Sequence, residues 1–207
     1  ISLGHAAFMA IGAYTLAVLT GALRLPFLLA VPLAALVAFA LGALVALPSL
    51  RIKGLYLAIA TLAFQFLTDY AIIHAAGEGL GAISVRAPRI GPWILRTETA
   101  MYYLVLVVWL AGGVFAANLA RTRIGLALMA VRDRDYAAQV LGINLLAYKV
   151  LAFGLAAFYA GIAGGLWASY NRLVTPEHFT ITQSIDYVAM IVMGGLTSVW
   201  GPHLGAA

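Results

Sequence analysis

Six long stretches of this chain contain almost no Asp, Glu, Lys or Arg, and each is near the length a helix needs to cross a lipid bilayer. A hydrocarbon core of about 30 Å takes roughly 20 apolar residues in helical form. The stretches run over residues 1–23, 25–50, 54–76 (interrupted by Asp69), 99–120, 150–171 and 187–207. Lipid offers no hydrogen bonds to a bare backbone, so each segment must satisfy its own N–H and C=O groups, and a helix does this. A transmembrane barrel would instead show short segments of alternating polarity, which the sequence lacks. The expected fold class is all-α, a polytopic transmembrane helix bundle of about six spans forming one domain over residues 1–207.

Composition agrees. Hydrophobic residues make up 64% of the chain and charged residues 9%. A soluble domain carries about 25% charge, so a water-facing globule is excluded, and so is disorder. The absence of cysteine excludes a disulfide framework, a thiolate metal site and a cysteine nucleophile. The chain opens on Ile1 and stops inside an apolar run, so it reads as a fragment truncated at both ends. No signal-peptide pattern precedes the first run.

Details within the runs matter for packing. The first carries Gly4, His5 and Gly12, which leaves a broken or re-entrant helix open. Pro32 is a candidate kink in the second. Gly161 to Gly165, Gly112-Gly113 and Gly194-Gly195 form small-residue faces that let helix backbones approach closely in lipid.

If all six runs span, the loops alternate sides. One side receives Arg51, Lys53, Arg121, Arg123, Arg132, Arg134 and Lys149; the other receives Arg24, Arg86, Arg89, Arg96 and Arg172. Seven against five favours the first side as cytoplasmic. The loop over residues 77–98 and the connection over residues 172–185 then face outward.

The polar segment 121–149 is the most organised of the loops. Ile124, Ala127, Leu128 and Val131 fall at helical spacing. Asp133 or Asp135 is placed to cap a second short helix through Tyr136–Leu141, and Gly142 to end it. Arg132 and Asp135, three apart, are expected to pair. Small residues on one side would let another protein approach. Two readings stand: an amphipathic helix on the lipid surface, or a docking helix for a soluble partner.

Polar groups within spans are the default site candidates, because charge there is costly. His5 near Ser2 reads either as a neutral, hydrogen-bonded interfacial group or as a gating group. Tyr56, Thr61 and Gln65 are assigned to one face of the third run, lining a polar route or bonding a neighbouring helix. Asp69 and His74 lie near the outer end of that run. Asp186 is expected to cap the last helix or touch substrate, and Glu177 and His178 to be solvated. No charge sits at the centre of a span, which argues weakly against an ion-coupled carrier. The four histidines show no metal spacing, and neither H-E-x-x-H nor a Ser-His-Asp arrangement is present. Neither lysine follows a glycine, so no P-loop exists and ATP cannot bind here in that way. No basic-aromatic patch suggests nucleic acid.

Four motifs, in order, carry a family resemblance: Ser2-Leu3-Gly4-His5-Ala6-Ala7-Phe8 with Ile11-Gly12-Ala13-Tyr14; Leu50-Arg51-Ile52-Lys53-Gly54-Leu55-Tyr56-Leu57; Ile124-Gly125 through Arg132-Asp133, Ala137-Ala138 and Leu141-Gly142-Ile143-Asn144; and Met193-Gly194-Gly195-Leu196 through Trp200-Gly201-Pro202. Together they resemble the branched-chain amino acid ABC transporter permeases of LivM type. The resemblance implies a non-enzymatic inner-membrane subunit of a bacterial importer working by alternating access. Its implied partners are a second permease of LivH type, two cytoplasmic ATPases that use the ATP, a periplasmic binding protein and the lipid bilayer; no cofactor is bound by this chain. It further implies that Arg132, Asp133, Asp135, Tyr136, Ala137, Ala138 and Gly142 form the ATPase-coupling helix, and Ser2, His5, Tyr56, Thr61 and Gln65 become substrate-pathway candidates. In the general importer pattern a Glu precedes the two alanines; here Tyr136 stands there, and the downstream Ile-x-Leu-Pro is missing. Alternatives are urea or small amides as cargo, an ion-coupled secondary carrier, or a purely structural membrane subunit.

Overall fold

The computed structural model describes residues 3–49, 52, 54–75, 81–90, 93–95, 97–195, 201, 205 and 206. Its helices are α1 (His5–Gly21), α2 (Phe27–Ser49), α3 (Leu55–Ala75), α4 (Glu98–Ala120), α5 (Arg123–Asp133), α6 (Asp135–Val140), α7 (Leu145–Asn171) and α8 (Ile181–Gly194). The two-residue strands are β1 (Ile83–Ser84), β2 (Arg89–Ile90), β3 (Trp93–Ile94) and β4 (Leu173–Val174). The fold is an all-α membrane bundle. Helices α2, α3, α4 and α7 are long and apolar enough to cross a bilayer. The six apolar helices follow the six runs in order, with α5 and α6 between the fourth and fifth.

The core is made by α1, α2 and α7, and its currency is small residues. Ala6, Ala7, Ala13, Ala30, Ala34, Ala35, Ala38, Ala46, Ala157 and Ala168 are fully buried. A side chain at Gly12 would collide with the backbone of Gly161, one at Gly161 with Ala35 and Ala38, and one at Gly164 with the carbonyl of Met9. Lipid tails are as apolar as leucine, so the association draws on dispersion between closely approaching backbones. Large residues go outward: Leu28, Leu29, Leu36, Leu44 and Leu47 of α2 are all exposed.

Several boundaries differ from the sequence reading. Helix α1 has 17 residues, about 25 Å of rise, short of a full crossing. It is one continuous helix, and most of its residues are buried, so protein surrounds it where lipid was expected. Pro32 lies inside a continuous α2. Helix α7 begins five residues earlier than the apolar run, because Asn144 caps it: its side-chain oxygen accepts from the Ala147 N–H at 3.3 Å. Helix α8 likewise starts at Ile181, inside the segment read as an outward loop, with Thr180 at its N-cap position. Asp186 is therefore an exposed residue within α8 and caps nothing. Gly195, at φ 102°, ends α8. The backbones of Gly201 and Gly205 lie against those of Gly194 and Met190. A straight helix would carry Gly205 about 16 Å past Gly194, so the last run is not one rod.

The short strands tie the loops at one end of the bundle. β1 pairs antiparallel with β4, and the Val85 N–H donates to the Arg172 carbonyl at 2.9 Å. β2 pairs with β3. Helices α5 and α6 contact α7 at its start and β4 follows its far end, so among the described residues Arg121, Arg123, Arg132, Arg134 and Lys149 lie at one end and Arg24, Arg86, Arg89 and Arg172 at the other; Arg51, Lys53 and Arg96 lie outside the described residues.

Replacing Gly12 or Gly164 by Val forces side-chain atoms into a neighbouring backbone, and a loss of about 1–3 kcal/mol or more is expected. Gly21→Ala, where a Cβ meets nothing within 4 Å, is the matched control. Unfolding of the three proteins in one detergent checks the contrast.

Candidate functional site

Two features carry chemistry: a polar seam inside the bundle, and the paired helices α5 and α6 at its end. The seam follows from where α1 starts. Its first turn begins inside the protein, and backbone N–H groups there have no partner within the helix. Two side chains from other helices supply acceptors. The Leu3 N–H donates to Thr61 Oγ1 of α3 at 3.0 Å, and the Ala6 N–H donates to Ser184 Oγ of α8 at 3.0 Å. Thr61 and Ser184 are both fully buried. Thr61 in turn donates to the Ala58 carbonyl at 2.9 Å.

One turn further along α3, Gln65 is completely buried. Its Nε2 donates to the Phe179 carbonyl at 2.8 Å and to Asp69 Oδ1 at 3.0 Å. Gln65 Oε1 has no partner among the described residues. The Phe179 ring is buried between Trp167 and Tyr14, at centroid distances of 5.3 and 6.5 Å. Tyr14 Oη donates to the Gly81 carbonyl at 3.0 Å. The seam thus joins α1, α3 and the entry to α8 by a few polar bonds inside an apolar bundle.

The structure sorts the expected pathway residues. Thr61 and Gln65 share the seam. Tyr56 does not: it is 75% exposed on the outside of α3. His5 sits in the first turn of α1, half-buried, close to the seam. Ser2 lies outside the described residues. Ser184, Phe179 and Tyr14 belong to the seam and escaped the sequence reading; the polar Thr180 to Ser184 stretch could have flagged a buried helix start. His178 is packed rather than solvated, its ring 4.7 Å from that of Trp167 and its Nδ1 2.7 Å from Thr175 Oγ1. A cavity of about 1220 Å³ opens between α4 and α7; its wall is mostly apolar, including Val105, Trp109, Ile162 and Leu166, and it reaches the seam only at Trp167, which packs on Phe179.

At the other end, Thr122 caps α5 by accepting from the Gly125 N–H at 3.2 Å. The helix stops at Asp133, because Arg134 adopts an extended conformation (φ −149°, ψ 90°) and serves as the N-cap residue of α6. Neither aspartate is the cap. Asp135 enters the first turn, where its charge complements the helix dipole. Arg132 bonds its neighbour Asp133 at 2.8 Å, and Asp135 reaches Lys149 of α7 at 3.9 Å, so the expected Arg132–Asp135 pair is replaced by two others. Gly142, at φ 83°, closes α6: its N–H donates to the Gln139 carbonyl and the Ile143 N–H to the Ala138 carbonyl, both at 3.0 Å. This is a Schellman stop, and glycine suits its left-handed residue.

The surface α6 presents is not the small-residue face expected. Ala138 turns inward and is buried, while Tyr136, Val140 and Leu141 are 77%, 72% and 79% exposed. Ala137 and Gly142 are exposed beside them. The result is an apolar knob on a short helix, fixed at both ends and tied to α7.

The sequence matches, over residues 1–207, the family described as "Branched-chain amino acid transport system / permease component". It is 34% identical over 230 aligned residues to a high-affinity branched-chain amino acid transport system permease protein LivM of Salmonella typhimurium, covering 99% of this chain and 54% of that protein. The Escherichia coli protein of the same description is 33% identical over the same shares. A probable LivM of Methanocaldococcus jannaschii is 24% identical over 86% of this chain and 52% of its own length. The chain spans about half the length of the curated relatives it matches. No solved structure matches it.

Ser184→Ala removes the acceptor for the Ala6 N–H, and Gln65→Leu strips the Phe179 carbonyl of its donor. Each is expected to lower stability by about 0.6–2 kcal/mol, the range of interhelical bonds in membranes. Tyr56→Ala should stay within about 0.5 kcal/mol of the parent. Unfolding midpoints of the three variants check the ranking.

Proposed function

The chain belongs to the branched-chain amino acid transport permease family, and on that premise we propose that it is the membrane-spanning permease subunit of an ATP-driven importer. Its cargo is a branched-chain or other small hydrophobic amino acid. It works in the bacterial inner membrane by alternating access, with α5 and α6 in the cytoplasm. A second permease of LivH type completes the pore, two ATPases drive it, and a periplasmic binding protein delivers cargo. The single observation that carries this reading is the apolar knob of Tyr136, Val140 and Leu141 on α6. Three large apolar side chains projecting at the basic end of a membrane bundle suit a protein groove.

The same geometry suggests how force travels. Arg132, Asp133, Asp135, Ala137, Ala138 and Gly142 shape and hold α6, and the Asp135–Lys149 contact ties it to α7. Helix α7 is locked to α1 and α2 through glycine and alanine contacts, so the three move as one body. Helices α3 and α8 are each joined to that body by one polar bond, at Thr61 and Ser184, and to each other by Gln65 and the Phe179 carbonyl. Two such bonds at about 0.6 kcal/mol each amount to roughly 1 kcal/mol, so the polar links to the body offer little resistance to parting. Thr61, Gln65 and His5 are the pathway candidates this joint would expose. Ser2 stays a candidate from the sequence, and Tyr56 would meet the partner permease or lipid.

In the complete transporter reconstituted in vesicles, Leu141→Asp and Tyr136→Ala should leave insertion and thermal stability intact. ATP-dependent uptake and cargo-stimulated hydrolysis should fall about tenfold or more, as for loss of a buried anchor. Unchanged uptake overturns the assignment of α6. Uptake that persists without nucleotide and collapses with an ionophore replaces the importer with an ion-coupled carrier.

A further inference from the structure

At the end of the bundle opposite α5 and α6, three arginines line one pocket of about 440 Å³. Arg24 comes from the turn between α1 and α2, Arg86 from the segment between β1 and β2, and Arg89 from the first residue of β2. Thr20, Leu25, Pro26, Phe27, Ala87 and Pro88 complete the wall, which contains no carboxylate. None of the three guanidinium groups forms an ion pair with a described residue. Like charges gathered without a counter-ion repel one another, and this end lies on the side where a membrane protein ordinarily keeps few of them.

The backbone holds them there. Arg24 sits at φ 52°, a left-handed conformation that a residue with a side chain adopts at a cost. The Leu25 N–H donates to the Leu19 carbonyl at 3.0 Å and fixes that turn. Arg86 follows Val85, which is buried and bonded to Arg172; Arg89 lies in β2 beside the fully buried Pro88. Three cationic residues are thus gathered around one space by two separately anchored segments.

Below the pocket the surface is apolar and open. Leu23 and Leu28 adjoin the lining residues Arg24 and Phe27 in sequence, and Leu29, Leu33 and Leu36 continue along α2 at spacings of four and three, all exposed. From Leu28 to Leu36 the stripe runs about 12 Å into the membrane. Guanidinium groups pair with phosphate oxygens through a planar fork of donors. A cationic socket above an apolar track matches one kind of molecule, with an anionic head and a hydrocarbon tail.

We propose that Arg24, Arg86 and Arg89 form a binding site for the headgroup phosphate of an anionic phospholipid in the non-cytoplasmic leaflet, with an acyl chain lying along the exposed leucines of α2. This goes beyond the transport reading and rests on it only for which leaflet the pocket faces. The lipid fixes the α1–α2 turn to the 86–89 segment, so it clamps the outer end of the core.

The full-length chain in its native membrane complex is purified in mild detergent with equal phosphatidylglycerol and phosphatidylcholine, and retained lipids are counted by native mass spectrometry. The parent should retain one more phosphatidylglycerol per copy of this chain than the triple variant Arg24→Gln/Arg86→Gln/Arg89→Gln. In phosphatidylcholine alone the two should unfold at the same temperature. Arg24→Gly should lower phosphatidylglycerol retention at least threefold while raising thermal stability, because it removes a cation and relieves the left-handed strain together. If the triple variant does not fold, each single Arg→Gln substitution should lower retention at least threefold. Equal phosphatidylglycerol counts in parent and variants overturn the proposal. So does a variant that keeps its lipid but loses capture of an acidic soluble protein, which would assign the pocket to a protein partner.

Discussion

The closeness of α1, α2 and α7 is the constraint from which the rest of the molecule follows. In water, burying large side chains would hold helices together; in lipid that drive is absent, because the tails solvate leucine as well as a neighbouring helix does. What remains is dispersion at short range, and short range requires small residues. Gly12, Gly161 and Gly164 bring backbones into contact, and alanines fill the spaces between. This also explains why the bulky apolar residues point outward, the reverse of a soluble core.

A core built this way is rigid, because a side chain of any size in the interface would clash. The surroundings are attached differently. α3 and α8 meet the start of α1 through Thr61 and Ser184, and Gln65 ties α3 to the entry of α8. Part of that polarity is forced: α1 begins inside the bundle, so its first N–H groups need acceptors from somewhere. The buried hydroxyls meet a backbone demand first, and a seam able to part and re-form is a consequence. The unpaired Gln65 Oε1 marks the least complete point of that seam among the described residues.

Much of this was legible from the residues, and the failures share a cause. The number and order of apolar segments and the stop at Gly142 could be read directly, because lipid imposes a length and a left-handed turn imposes a residue type. Charge alone misplaces the helix starts. Charge marks where a helix leaves lipid; caps mark where it begins. Hence α7 starts at Leu145, past its Asn144 cap, though Lys149 is charged. The Arg132–Asp135 pairing failed because the extended Arg134 interrupts the helix between them. Tyr56 and Thr61 are five residues apart, about 140° around a helix, so they point apart; Thr61 and Gln65, four apart, differ by about 40°. Ser184 was invisible because its role depends on α1, far away in sequence.

These two kinds of joint set where motion can enter. In the proposed importer a load applied to α6 would reach α7 through contacts that include Lys149, and sliding within the core would drive backbone into backbone. It would then appear where α3 and α8 meet the core through few polar bonds. The proposed importer, in which energy would enter from outside the chain, requires such a division: one part stiff enough to transmit and one seam weak enough to yield. Small residues supply the first and a handful of hydroxyl and amide groups the second, so the same sequence bias toward Gly and Ala that makes the bundle pack also decides which of its contacts can break.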